Sequence, residues 1–145
     1  MAIVVQNRQR TVRINTPQVK RQLLRVMTYL GCQDRELSVV FANDRLLQEL
    51  NHTYRHKDRP TNVLAFPQEP IGAVGPSSGL LGDVVISLPT ADREAQILEQ
   101  SLETRVVYLL IHGLLHLLGY DHERGDAAQQ CMEALEQELL AYLRA

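Results

Sequence analysis

Cysteine is scarce in this chain: only Cys32 and Cys131 occur, far apart and without a Cys-x-x-Cys spacing. Nothing points to a disulfide framework, and the expectation is two free, mostly buried thiols in a reducing compartment. Long apolar runs are missing as well. The longest nearly unbroken one, residues 106–118, has 13 residues and contains two histidines, whereas a membrane span needs about 20 apolar residues. The N-terminus, Met-Ala-Ile-Val-Val-Gln, lacks the basic flank, apolar stretch and small-residue cleavage site of a secretory signal. A cytoplasmic location with no membrane partner follows as the expectation. Internal repeats and low-complexity tracts are absent too.

Acidic residues are missing from one stretch. Residues 1–33 hold Arg8, Arg10, Arg13, Lys20, Arg21 and Arg25 and no acid, while the rest carries nine bases and 17 acids, so the formal net charge of −2 joins a basic segment to an acidic remainder. Such asymmetry permits a basic face for a polyanion, although a solvated helix face is the commoner outcome.

What is present suits a globular enzyme. A length of 145 residues fits one domain, 1–145. A hydrophobic share of 45% with 22% charged residues allows a real core. Residues 3–6 and 11–14 read as short strands of a hairpin or an irregular N-terminal edge. Thr16 then reads as an N-cap with Pro17 at the first helical position. Val19, Leu23, Val26, Met27 and Leu30 recur at helical spacing, and Gly31 is a natural stop. Residues 37–42 form a β-branched strand, and Asn43 caps a helix with Leu46, Leu47 and Leu50 as its stripe. The polar, basic stretch 51–60 reads as a surface connection. Strands are expected at 63–66 and 80–88, separated by a Gly- and Pro-rich flexible loop at 68–79. Helical sequence opens at Pro89-Thr90, breaks near Ser101 and continues to Leu118; a last amphipathic helix spans about 126–143. The order implies an α+β domain, a mixed sheet of about four strands with about five helices, zincin-like, around a central buried metal-binding helix.

The informative stretch is His112-Gly113-Leu114-Leu115-His116-Leu117-Leu118-Gly119-Tyr120-Asp121-His122. Residues four apart on a helix lie about 40° apart around its axis, so His112 and His116 share a face. Gly119 favours a left-handed turn that ends the helix, after which His122 returns from a loop. Two hydrogen-bonded core histidines would be the plainer reading of the pair alone. The third histidine and the glycine hinge favour a zinc-type ion instead, with a fourth position open for water as in catalytic sites. Three imidazoles also accept nickel or copper according to supply. The same spacing occurs in metzincin peptidases, but their glutamate base stands where this chain has Gly113, which counts against peptide hydrolysis.

This histidine block resembles the signature of the YbeY family of bacterial rRNA maturation factors, metal-dependent single-strand endoribonucleases. Leu50-Asn51, Tyr54-Arg55 and Pro60-Thr61-Asn62-Val63-Leu64-Ala65-Phe66-Pro67 resemble a second block of that family, and Leu81-Gly82-Asp83-Val84-Val85-Ile86 a third. Asn62 and Ala65 stand where aspartate and serine are frequent. The resemblance covers about 36–143. It implies one Zn2+ or similar ion, such as Ni2+, at His112, His116 and His122, with Arg55 as the functional arginine. It also implies single-stranded RNA on the small ribosomal subunit as substrate, with no DNA. In that setting Arg55 would neutralise charge on a phosphate, Lys57 and Arg59 would steer the backbone, and Asp121, Glu123 or Asp83 would orient ligands or move protons. Two other classes remain open: a zinc metallopeptidase, and a non-catalytic ribosome-binding factor with a structural metal.

Overall fold

The computed structural model describes residues 3–55, 61–68, 79–120 and 125–144, without the Arg55 side chain. Its elements in chain order are β1 (Ile3–Asn7), α1 (Thr16–Tyr29), β2 (Glu36–Ala42), α2 (Asp44–Arg55), β3 (Val63–Pro67), β4 (Leu80–Ser87), α3 (Leu88–Ile97), α4 (Leu102–Leu117) and α5 (Asp126–Arg144). The strands form one sheet in the order β1-β2-β4-β3. β1, β2 and β4 run parallel, and β3 lies antiparallel to β4. This is the α+β, mixed-sheet architecture expected from the sequence. No helix among the described residues is long and apolar enough to cross a membrane.

Period-two patterning divides the sheet into two faces. Leu37, Val39 and Phe41 of β2, with Val84 and Ile86 of β4, enter the main core. There they meet Val19, Leu23, Val26 and Met27 of α1, the apolar body of α4, and Met132 and Leu139 of α5. The opposite face is covered more thinly, by Leu47 of α2 over Ala42, Leu64 and Val85. Helix α4 is therefore the central helix, with nine of its residues buried.

Two close approaches seat α4 on β4. A Cβ at Gly113 would lie 2.7 Å from Cγ1 of Val84, and one at Gly82 would lie 3.0 Å from Cδ2 of Leu117. Gly82 follows a β-bulge, because Glu36 pairs with Leu80 while Leu37 pairs with Gly82. The bulge and the missing side chains let helix and strand approach at two points one turn apart.

Of the two readings of 3–6 and 11–14, the irregular N-terminal edge holds, with β1 at the edge of the sheet, and the hairpin does not form. β1 pairs with β2 instead, and the side chain of buried Gln9 replaces a second strand. Its Oε1 accepts from the backbone N–H of Thr11 and Val12, at 3.1 and 2.9 Å, and its Nε2 donates to the Val12 carbonyl at 2.8 Å. These bonds satisfy the turn's polar backbone locally. Asn15, not Thr16, caps α1, its Oδ1 accepting from the Gln18 N–H at 3.2 Å. Asn43 caps α2 as expected, accepting from the Leu46 N–H at 2.9 Å. That helix continues to Arg55, so 51–55 is not the surface connection its polarity suggested; Asn51 is buried. Of the two free thiols Cys32 is buried, but Cys131 is exposed, because it lies about 80–100° around α5 from Met132 and Leu139, off the buried stripe. Burial pushes the Cys32 thiol pKa up despite Arg35 nearby. Residues 56–60 and 69–78, and with them most of the 68–79 loop, lie outside the described residues.

Asp44, at the start of α2, ties that helix to α3. It accepts from the hydroxyls of Ser87 and Thr90 and from the Arg93 guanidinium, the last at 2.8 Å. Burial pushes its carboxyl pKa up, but these three donors together outweigh burial and leave it below the ordinary carboxylate value. A depressed pKa favours the folded state above the unfolded-chain value of about 3.9, and that advantage disappears as pH falls through the folded value. Asp44→Asn is therefore expected to flatten the loss of urea stability on acidification below about pH 4. Gly113→Ala tests the seating of α4. Overpacking costs about 1–3 kcal/mol, against about 1 kcal/mol gained in helix propensity. Because Val84 is β-branched and fully buried, overpacking should win and lower the urea midpoint. Combined with Val84→Ala, the loss should be smaller than the sum of the two single losses.

Candidate metal centre

Helix α4 is apolar nearly all round, with one polar stripe. At about 100° per residue, positions 105, 108, 112 and 116 fall within an arc of roughly 80°, so Arg105, Tyr108, His112 and His116 follow one another along a single face. Ser101 starts the helix, its hydroxyl accepting from the Thr104 N–H at 3.1 Å. Gly119 ends it at φ +106. The Gly119 N–H donates to the His116 carbonyl at 3.1 Å, and the Tyr120 N–H to the Leu115 carbonyl at 3.0 Å. This is the paired bonding of a left-handed C-terminal cap, and it confirms the hinge expected from the glycine. His112 and His116 are both partly accessible on a helix whose other core positions are closed.

The stripe faces α5. Glu136, only 4% exposed, stands with Oε2 3.5 Å from Nδ1 of His112. That oxygen is fully buried and has no hydrogen-bond partner. Tyr108 lies beside the same carboxylate. Burial raises its phenol pKa, the Glu136 charge raises it further, and Arg105 opposes both. Arg105 stacks over the Tyr108 ring at 4.7 Å and pairs with Glu94 at 2.9 Å, which also accepts from Asn62 at 3.1 Å. A line of polar contacts thus runs from the start of β3 to the first histidine.

A buried, unpartnered carboxylate oxygen is costly unless positive charge balances it. A cation on the far nitrogen of His112 would supply that balance by polarising the near N–H. The residues present therefore fit a divalent ion with imidazole donors, in which a carboxylate commonly backs a ligating histidine. The structure brings His112 and His116 to one face as the spacing required. His122 lies outside the described residues, as do Lys57, Arg59, Asp121, Glu123 and the Arg55 side chain. Among the described residues no cluster of three His, Cys, Asp or Glu forms a complete metal site. Asp83 sits within β4, paired with Phe66 of β3 and Ser38 of β2.

Glu136 and Tyr108 were missed in the sequence. A signal did exist for the first: Met132, Glu136 and Leu139 are the buried residues of α5, so a carboxylate interrupts an apolar stripe at the four-and-three spacing of a helix face. Of the six N-terminal cations, Arg25 has a structural task. It donates to the carbonyls of Leu143 and Tyr142 at 3.3 and 3.4 Å, at the end of α5. Arg8, Arg10, Arg13 and Arg21 are exposed.

The chain is 45% identical over 146 residues to the Endoribonuclease YbeY of Geobacter metallireducens, covering 99% of this chain and 96% of that protein. It is 41% identical to the Endoribonuclease YbeY of Syntrophotalea carbinolica, over 98% of this chain and 95% of that one. The solution structure of TM1509 from Thermotoga maritima shares the fold, with a TM-score of 0.66 at 23% identity over 97% of this chain and 88% of that one. The model of the family described as Endoribonuclease YbeY matches residues 4–144, and the chain belongs to that family.

Proposed function

We propose that this chain is a metal-dependent endoribonuclease that cuts single-stranded RNA, acting in rRNA maturation at the 3′ end of the small-subunit rRNA. It would do so in the cytoplasm, as one domain over 1–145, with the small ribosomal subunit as partner. The relatives' name supports an RNA phosphodiester as the bond broken. The observation that carries the reading is the pair His112 and His116 on the one polar face of a buried helix, with the Glu136 carboxylate 3.5 Å behind the first. His122 completes the set as the third ligand, from beyond the Gly119 cap.

The imidazoles of His112, His116 and His122 would hold the ion. When bound, a zinc-type cation supplies Lewis acidity that polarises a phosphoryl oxygen and acidifies water. Arg55, at the end of α2, neutralises charge building on the phosphate with a planar fork that matches its oxygens. The exposed cations of the N-terminal segment draw the RNA backbone to the domain. Peptide hydrolysis fits less well. The slot of a metzincin-type glutamate is Gly113, and any side chain there would meet Val84 of the sheet rather than the site.

Purified protein should contain about one zinc-type ion per chain, and chelation should stop cleavage of a single-stranded RNA until zinc is restored. His116→Ala should lose the ion and the cleavage together. Metal-free protein with full ribonuclease turnover, or protein that cuts casein but not RNA, would overturn the proposal. Arg55→Ala should keep its metal and lose cleavage rate by about 10²–10³-fold, the usual effect of deleting one transition-state donor. Unchanged turnover would remove Arg55 from the mechanism. Product ends report the nucleophile: cyclic phosphates indicate attack by the RNA 2′-hydroxyl, and linear ends indicate water.

A further inference from the structure

Glu136 is the one charged residue buried among the described residues, and the other buried residues of α5, Met132 and Leu139, are apolar. Leucine or methionine would continue the stripe set by Met132 and Leu139. A carboxylate held there gives up hydration worth several kcal/mol. Its Oε2 has no hydrogen-bond partner, yet it is aimed at a particular atom, Nδ1 of His112, at 3.5 Å. Neutral imidazole carries its proton on one nitrogen and its lone pair on the other, and the partner of one nitrogen selects the tautomer. A carboxylate beside Nδ1 draws the proton there and frees the Nε2 lone pair. Tyr108, one turn earlier on the same stripe of α4, flanks the carboxylate and limits its movement.

We infer that Glu136 is a positioning residue, which holds His112 in the Nδ1–H tautomer and in the ring orientation that presents Nε2 to a divalent cation. The inference rests on the metal reading above and adds to it a specific source of ligand orientation, supplied across the α4–α5 contact by a helix that contributes no histidine. A purely structural carboxylate, holding the two helices together, is the competing account. The two differ in sign. A carboxylate kept for packing should cost stability when removed. One kept for the ligand should leave the metal-free fold as stable as before, or more so, since replacing a buried charge with an apolar side chain is often neutral or stabilising.

The test uses the full chain with Glu136→Leu and Glu136→Gln, and zinc itself as the probe. Zinc affinity is read by competition with a chromogenic chelator, and thermal stability is measured on metal-free protein. Glu136→Leu should weaken zinc binding by about 10–100-fold, the usual loss when such a partner is removed, with no fall in the metal-free melting temperature. Glu136→Gln, whose amide oxygen offers Nδ1–H an acceptor, should recover part of that affinity. Long-range nitrogen–proton correlation spectra of the metal-free protein should show His112 as the Nδ1–H tautomer in the wild type and as a mixture in Glu136→Leu. Wild-type zinc affinity in Glu136→Leu, alongside loss of binding in His116→Ala, would overturn the inference. A wild type that binds no zinc would sink the metal reading instead, and the tautomer spectra would still decide the role of Glu136. If the leucine variant does not fold, Glu136→Ala, which likewise removes the acceptor, carries both measurements, and an unchanged affinity and tautomer there would refute the inference.

Discussion

Where α4 meets the sheet, its backbone comes so near β4 that Val84 occupies the space a side chain at 113 would need. That contact sets the depth of the helix, and the rest of the site follows from it. Residue 112 is turned about 100° from residue 113 around the axis. With Gly113 pressed on the strand, His112 is carried off the sheet towards α5, and His116 follows one turn later. The remaining circumference is apolar and packed between α1 and the sheet. The imidazoles therefore have a rigid base, and Glu136 of α5 and Tyr108 and Arg105 of the preceding turns of α4 are polar neighbours along their stripe.

Charge in this setting is sparse, and each instance has a counterpart. Arg105 meets Glu94 and the Tyr108 ring, Glu94 also meets Asn62, and Asp44 gathers Ser87, Thr90 and Arg93. Against that background the unpartnered Oε2 of Glu136 stands out. In surroundings of low polarity an isolated carboxylate oxygen is unfavourable, and cation binding at the neighbouring imidazole is the change that would relieve it. Under the proposed metal reading, affinity for an ion and tolerance of a buried acid are two aspects of one arrangement.

Much of this was legible in the sequence, for identifiable reasons. Helices α1, α4 and α5 announce themselves by apolar spacing, and Ser101, Gly31 and Gly119 mark their ends, because capping is decided by one or two local residues. The paired histidines were legible because helix geometry alone fixes the relation of residues four apart. Interactions between distant segments were not. The parallel pairing of β1 with β2 was missed because a tight polar turn resembles a hairpin turn, and only the burial of Gln9 shows that its side chain, not a second strand, satisfies the backbone. The last turn of α2 was missed because its residues are polar, although Asn51 is buried. Glu136 was missed because its partner lies on another helix, 24 positions earlier in the chain. His122 and the Arg55 side chain fall outside the described residues, so their placement rests on spacing and on family membership.

The far end of α5 is clasped by α1. Arg25 lies over the Tyr142 ring at 5.2 Å while bonding the carbonyls of Tyr142 and Leu143, and Tyr29 packs against Tyr142 with ring centroids 4.7 Å apart and planes tilted by 46°, and donates to Glu138 at 2.7 Å. Helix α5 is thus anchored near its last turn while presenting Glu136 two turns back to the histidine helix. Trimming the chain from residue 142 onward would release this anchor without touching a histidine, and the acid behind His112 would lose its fixed seat. Tags, fusions or proteolytic nicks at that end would thereby act on the proposed ion-binding face from a distance, through the rigidity of a single helix.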